Sequence, residues 1–562
     1  MTCTAEERSI ARDPLPADTG GWEIMLESEN KAIAELGFME SGFKKTIDIR
    51  EAIASSRLFR EKLLSDAYRP RYHFAIPEDM GQPGDPNGAF YANGRYHLMY
   101  LYNCTDDKYR FGHISSADLL HWRSHPDALT ADDLDGGGIF SGGAFADDDG
   151  TVYLAYWGLP HGYDAGERDG SSGVRIAYSN DIANHYEKWE KFSEYALKST
   201  RFGIIEVAGE DGDMHLAGCA DPSNIWKAGG LYYLQTGNYI VLNSFRDDSA
   251  APQRYRGDWA DLFSSRDLRK WDYEKRFYAR DAGNGWTDES EDCMCPSFLP
   301  LPDAKEGGLS GKYLQLFISH NKGCQYYIGS YDKANSVFVP ERHGRMSWND
   351  NTVFAPEALI DKDGRQIMWA WLRDNLPDEL QRGWSGVFCL PRSLWLNKDG
   401  GLGIAPVSEM EGLRYNHKKT LDVCYGTSCE VKIVFDVSPA SKAGLKVRCA
   451  PDESEYTLIY YDCAGKRIVF DAAKSGRLDR LHFYPAPAAV EAAPFELKDN
   501  EYLTLDIFID SSVIEVFINE RQAIARRVYS ERGDSKGIKL FSEGRVEVKS
   551  LDVWEIAPTN FY

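Results

Sequence analysis

The chain has 562 residues, a net charge of −23 and no apolar run approaching membrane-span length. That length exceeds one ordinary hydrophobic core and implies two or three domains. The acidic balance argues against nucleic-acid and anionic-membrane partners, which need a basic face, and suits a soluble protein with a neutral small-molecule substrate.

In chain order, apolar residues recur at helical spacing over residues 22–38 (Ile24, Leu26, Ile33, Leu36) and 47–64 (Ile49, Ile53, Leu58, Leu64). Arg69-Pro70 stops this pattern. Residues 1–68 are therefore expected to form a helical N-terminal extension, packed on the following domain or on a second copy of the chain. The opening residues MTCTAEERSIARD have no apolar core of signal-peptide type. The 11 cysteines are scattered, and Cys293-Met294-Cys295 is too closely spaced for a usual zinc site. Reduced thiols, a cytoplasmic location and no metal or cofactor are the expectation.

From residue 69 to 408 short β-runs alternate with turns, and five pieces repeat. They are GDPNGAFYANGRYHLMYLYN from Gly84, FSGGAFADDDGTVYLAYWG from Phe140, ADPSNIWKAGGLYYLQTGN from Ala220, CPSFLPL followed by GKYLQLFISH from Cys295, and FAPEALIDKDGRQIMWAWL from Phe354. Each has a small or Pro-marked start, a short strand, a Gly turn and an aromatic-rich returning strand. Asp85, Ser141 and Asp221 each lie nine residues before their turn glycines Gly94, Gly150 and Gly230. Asn93-Gly94 is a strong hairpin signal. A second feature, S-x-D-L-x-x-W, ends the outer strands at Ser116–Trp122 and Ser265–Trp271. Repeats of this length read as the blades of a five-bladed β-propeller. Beyond 409 the repeat stops while alternation continues in residues 430–435, 502–510 and 513–518, which predicts a C-terminal β-sandwich over 409–562. The fold class is all-β, with the sandwich as a second route to a homo-oligomer.

In a propeller the first strand of each blade lines one central channel. Residues in equal register therefore converge: Asp85, Ser141, Asp221, the segment around Met294 and the segment around Ala355. Side chains alternate along a strand, so parity adds Asn87 beside Asp85, Asp292 beside Met294 and Glu357 beside Ala355. Carboxylates gathered at a channel mouth suit glycosidic bond cleavage, in which one attacks the anomeric carbon and a protonated acid serves the leaving oxygen.

From Tyr72 onward the chain resembles glycoside hydrolase family 32, the invertase, inulinase, levanase and fructan exohydrolase group, whose members join a five-bladed propeller to a β-sandwich. GDPNGAFYANGRYHLMYLYN resembles the family's N-D-P-N-G block, FGHISSADLLHW its W-G-H block, Phe140-Ser141-Gly142 its W/F-S-G pocket motif, ADPSNIW its R-D-P block, CPSFLPL the tail of its E-C-P block, and IFIDSSVIEVFIN the sandwich signature. The resemblance implies a retaining fructoside hydrolase with Asp85 as nucleophile and Asp221 as transition-state stabiliser. Phe140, Ser141, Asn87, Glu357 and Trp384 would contact the sugar. Four departures stand out: Gly84 for the family's Asn, Leu101 for Gln, Ala220 for the Arg of R-D-P, and Met294 for the Glu of E-C-P. Met294 cannot donate a proton, so Glu291 or Asp292, immediately upstream, is expected as acid/base. Glu515 and its strands are expected to be structural. The alternatives are another sugar (a difructose anhydride or an arabinofuranoside), fructosyl transfer, or an inactive sugar-binding homologue.

Overall fold

The structure, a computed structural model, describes residues 49–76, 84–103, 108–159, 172–200, 202–209, 212–238, 255–373, 383–421, 426–439, 441–476 and 488–560. The chain divides into two compact units, 1–61 and 62–562. The helix Ile49–Ser65 crosses that boundary, with Glu51 in its first turn and Lys62 in its last, the charge order that suits a helix dipole. The helix expected over 22–38 lies outside the described residues.

The second unit begins with five successive antiparallel sheets. Their inner strands are Pro86–Ala92, Gly138–Ala146, Ala220–Pro222, Met294–Leu301 and Val353–Ile360. Each inner strand touches the next, and the fifth touches the first, so the sheets close a ring as a propeller does. Strand Ala75–Ile76 precedes the first sheet but pairs with Ser385–Phe388 of the fifth, hooking the two ends of the ring together. The expected hairpin is present: Ala92 pairs with Arg95, and Asn93 and Gly94 both adopt positive φ, 49° and 74°. The S-x-D-L-x-x-W repeat proves to be a turn device. Asp118 accepts backbone N–H bonds from Leu120 and His121, Asp267 does so from Arg269 and Lys270, and Leu119 and Leu268 take left-handed φ values of 67° and 64°.

Every inner strand is bulged near its start. The register slips between Asn87 and Phe90, Phe140 and Gly142, Ala220 and Pro222, Met294 and Ser297, and Phe354 and Glu357. In the last three sheets the bulge residue is a non-glycine at positive φ: Asp221 (40°), Cys295 (47°) and Ala355 (44°). A bulge adds one residue and re-aims the side chains that follow. Strict alternation therefore fails where the chemistry sits.

The remaining strands form two packed antiparallel sheets. One runs Arg414–Lys418, Val546–Ile556, Ser428–Val437, Leu503–Asp510, Val513–Ile518, Gln522–Arg527; the other runs Val490–Pro494, Arg467–Asp471, Thr457–Asp462, Lys442–Cys449, Gly537–Glu543. Alternate residues fill the core between them: Val431, Ile433, Phe435, Leu505, Ile507 and Val516 from the first, and Leu445, Ile459, Ile468 and Phe470 from the second. A buried charge network joins sandwich to ring. His73 bonds Asp510 through Nδ1 (2.9 Å) and Glu515 through Nε2 (3.1 Å), and Arg392 donates to Glu515 Oε2 (2.8 Å). Glu515 also accepts from the Leu390 N–H (2.7 Å), so the structural role expected for it is the one it fills.

Candidate active site

The inner strands carry their bulge residues to one mouth of the ring. Asp85 is buried; its Oδ2 accepts from Ser141 Oγ at 2.7 Å, and its Oδ1 makes no hydrogen bond among the described residues. The Cys295 thiol reaches across to both carboxylates, 3.5 Å from Asp221 Oδ2 and 4.0 Å from Asp85 Oδ2. Asp85, Ser141 and Asp221, grouped by equal spacing in the sequence, are thus brought together, and the fourth member of the set is Cys295. The sequence register was one residue short in that repeat. Asp85, Asp221, Cys295 and Ala355 all stand directly before a proline, which marks Cys295 rather than Met294 as the equivalent position.

Burial raises the pKa of both aspartates. For Asp85 the Ser141 hydrogen bond and the positive fields of His320 and Arg373 oppose the rise. For Asp221 burial is followed by repulsion from Asp85, and the carboxyl is pushed up to about 6. Arg373, from the end of the fifth sheet's second strand, is itself lowered to about 10 by burial, with Asp85 pulling it back. Its guanidinium lies 4.8 Å from the Phe354 ring centroid.

The two expected acids are both buried, in different settings. Glu291 takes a bidentate ion pair from Arg345, with nitrogen–oxygen distances of 2.7 and 2.8 Å, and a further bond from Gln325 Nε2 at 3.0 Å. Its oxygens are committed to holding the fourth sheet, and this geometry does not offer it as a proton donor. Asp292 accepts from the His320 N–H (2.8 Å) and bonds His320 Nδ1 (2.7 Å). It stands behind the imidazole, and the imidazole is the group whose charge Asp85 and Asp221 feel.

Parity places Asn87 and Glu357 beside the site, but both bond neighbouring sheets, Glu357 past the bulge of its strand and Asn87 just before that of its own. Asn87 Oδ1 accepts from the Gly142 N–H (3.2 Å) on the second sheet, and its Nδ2 donates to the Asp85 carbonyl (3.1 Å). Glu357 Oε1 accepts from the Ala89 N–H (2.8 Å) on the first sheet. Asn224 does the same between the third and fourth sheets, exchanging two bonds with the Phe298 backbone at 2.8 and 3.0 Å. These three residues are latches between blades. Burial pushes Glu357 up to about 8, so it is largely protonated at neutral pH. Gly143 has a reason of the same kind: a Cβ there would sit 2.3 Å from the Asn224 nitrogen, so only glycine lets the second and third inner strands approach. Phe140 is half-buried, edge-on to Tyr109 and Trp157. Trp384 is not in this group. Its Nε1 donates to Asp66 Oδ2 at 2.7 Å and its ring faces Arg527, which places it against the sandwich.

Three site residues escaped the sequence reading: Cys295, His320 and Arg373. The proline after Cys295 was an available signal. His320 ends the fourth sheet's second strand and Arg373 the fifth's, outside the inner-strand repeat. Among the described residues no group of three or more His, Cys, Asp or Glu is placed to hold a metal ion.

Comparison with known proteins follows the same division of the chain. The glycosyl hydrolases family 32 N-terminal domain model matches residues 73–406, and the family 32 C-terminal model matches 409–555. Raffinose invertase of Escherichia coli is 29% identical over 507 residues, covering 88% of this chain and 96% of its own. Sucrose-6-phosphate hydrolase of Zymomonas mobilis is 26% identical over 528 residues, with coverage of 89% and 94%. The crystal structure of fructan 1-exohydrolase IIa from Cichorium intybus superposes with a TM-score of 0.72 at 20% identity, covering 88% of this chain and 98% of that one.

Proposed function

The chain belongs to glycosyl hydrolases family 32, and from that premise we propose that it is a retaining β-fructofuranosidase using Asp85 as nucleophile and Asp221 as transition-state stabiliser. One observation carries the reading: two buried carboxylates from different sheets meet one sulfur at the channel mouth, with one oxygen of Asp85 tied to Ser141 and the other unpartnered among the described residues.

The chemistry balances in two steps. Asp85 Oδ1 attacks the anomeric carbon as the bond to the leaving oxygen breaks, and that oxygen takes a proton from an acid of the enzyme. A fructosyl ester on Asp85 results. Water then gives its proton back to the same group and adds to the anomeric carbon, releasing the carboxylate. Two inversions give net retention. Asp221 bonds sugar hydroxyls most strongly as the ring flattens toward the oxocarbenium ion.

A second reading, a furanoside other than plain terminal β-fructose, is favoured by Ala220, which is fully buried where the family block has Arg. The cation beside Asp85 here comes instead from Arg373. Difructose anhydrides and arabinofuranosides are the candidates. The test is a panel of sucrose, 1-kestose, inulin, levan, a difructose anhydride and an aryl arabinofuranoside, run on wild type and Asp85→Asn. Turnover of a fructoside by wild type alone, with a fructosyl adduct on the Asp85 peptide by mass spectrometry, supports the first reading. Turnover of the arabinofuranoside alone supports the second. Equal, negligible turnover by both proteins, with sugar still bound, would establish an inactive binding homologue.

We place the protein in the cytoplasm, a reading supported by the eight free cysteines among the described residues, Cys219 to Cys463. No described helix is long and apolar enough to cross a membrane. Self-association through residues 1–68 or the sandwich is also proposed. Deleting residues 1–66 without change in sedimentation would remove the first of these routes.

A further inference from the structure

We propose that His320, held by Asp292, is the catalytic acid/base of this site, in place of the side chain that Met294 lacks. The inference rests on the fructosidase reading above and adds a residue to it.

Met294 precedes Cys295 at the position of the family's Glu. A thioether carries no proton, and its Sδ packs toward the third sheet, where a Cβ on Gly237 would come within 2.7 Å of it. The carboxylates nearby are already engaged. Glu291 is clamped by Arg345, Glu357 latches Ala89, and Asp85 and Asp221 have other work in the reaction. Asp292 is buried with both oxygens on His320. What remains is the imidazole, and it is built as an acid/base would be. Its side chain is 28% exposed and backed by buried Asp292, and its charge acts on both Asp85 and Asp221. Its ring meets Phe354 of the fifth sheet edge-on at 5.5 Å, and its carbonyl is anchored by Asn351 Nδ2 at 2.6 Å. Asp292, already accepting the His320 backbone N–H, takes the Nδ1–H as well. That sets the tautomer and leaves Nε2, which makes no hydrogen bond among the described residues, as the atom for the second proton.

The step follows directly. The imidazolium gives its Nε2 proton to the leaving glycosidic oxygen as Asp85 forms its ester, and Asp292 offsets the ring's charge. Neutral Nε2 then takes a proton from the incoming water as the ester breaks, restoring the starting state. The charged and titratable groups around the ring are Asp292 on its own sheet, Asp85 and Asp221, which its charge reaches, and Arg373, which shares the Phe354 ring with it.

The test compares wild type, His320→Gln and Asp292→Asn on two β-fructofuranosides, sucrose and the p-nitrophenyl compound. Sucrose expels an alkoxide that needs a proton, whereas nitrophenolate leaves largely without one. His320→Gln is expected to lose about 10^3-fold on sucrose, within the span of general acid catalysis, and at most about tenfold in the nitrophenolate burst. Azide should then restore its turnover by giving fructosyl azide, and the basic limb of kcat/KM should disappear. Asp292→Asn should move that limb to lower pH and slow sucrose turnover by about 10–100-fold. Equal losses by His320→Gln on both substrates, or no loss, would overturn the proposal. If His320→Gln does not fold, an unmoved basic limb in Asp292→Asn overturns it instead. Wild type inactive on both fructosides would overturn the fructosidase reading itself, an outcome distinct from any of these.

Discussion

Two sets of buried charges in this protein have opposite designs. In the seam between ring and sandwich, Glu515 is met by Arg392, His73 and a backbone N–H, and its pKa falls below the ordinary glutamate value despite complete burial. At the channel mouth Asp85 has the Ser141 hydroxyl and a distant share of the Cys295 thiol, Asp221 has the Cys295 thiol and backbone N–H, and both pKa values rise. Burial disfavours a charge in both places. The seam offsets it with partners, while the mouth leaves it partly unmet, as the proposed function requires of carboxylates that must meet a substrate. Incomplete compensation of a buried charge is a mark of chemistry, and full compensation is a mark of architecture.

The largest expected difference is in rate. Asp85→Asn should cut turnover by roughly 10^4-fold or more without lowering the melting temperature, as read by steady-state kinetics and calorimetry. Glu515→Gln should do the reverse. Leaving Arg392 without its carboxylate, and His73 with Asp510 alone, should cost about 3–5 kcal/mol in denaturant unfolding, with kcat unchanged in the protein that stays folded. Equal behaviour of these two variants would dissolve the contrast.

The pH dependence of stability sharpens it. Asp221 titrates near 6 in the fold and near 4 when unfolded, so the folded state binds the extra proton between those values. Its contribution is a penalty at neutral pH that is relieved as pH falls from about 6 to 4. Asp221→Asn should therefore be more stable than wild type by roughly 2–3 kcal/mol at pH 8, with the gap closing toward pH 4, while turnover falls. Glu515, with its pKa lowered, has the opposite sign: its stabilisation is present above the unfolded glutamate pKa and is lost as pH falls through the folded one. The smallest effect is expected at Glu357, which is raised to about 8 and therefore neutral at pH 7. Glu357→Gln keeps the acceptor for Ala89 N–H and should change stability by no more than about 0.5 kcal/mol and kcat not at all. A large kcat loss there would return Glu357 to the sugar contacts expected of it.

Much of this was legible in the chain. Equal spacing to a turn glycine put Asp85, Ser141 and Asp221 in one register, and the structure gathers them. Parity beyond those residues misled. It assumes an unbroken pleat, and the bulge at Ala355 turns Glu357 onto the first sheet, while Asn87, just before the bulge of its own strand, bonds the second. His320 carries no signal in the chain because its partner Asp292 lies 28 residues away in sequence, across a hairpin. Trp384 looked like a pocket residue from its motif alone, and its bond to Asp66 spans more than half the chain.

The sequence by itself determined the ring of repeats, the sandwich and the positions of the two channel aspartates, because each repeat encodes its own hairpin and its own inward-facing start. Which group sits in front of which was decided only by tertiary structure. Asp292 lies behind His320 and Glu291 against Arg345 because those partners stand 28 and 54 residues further along, and only the assembled fourth sheet brings them alongside.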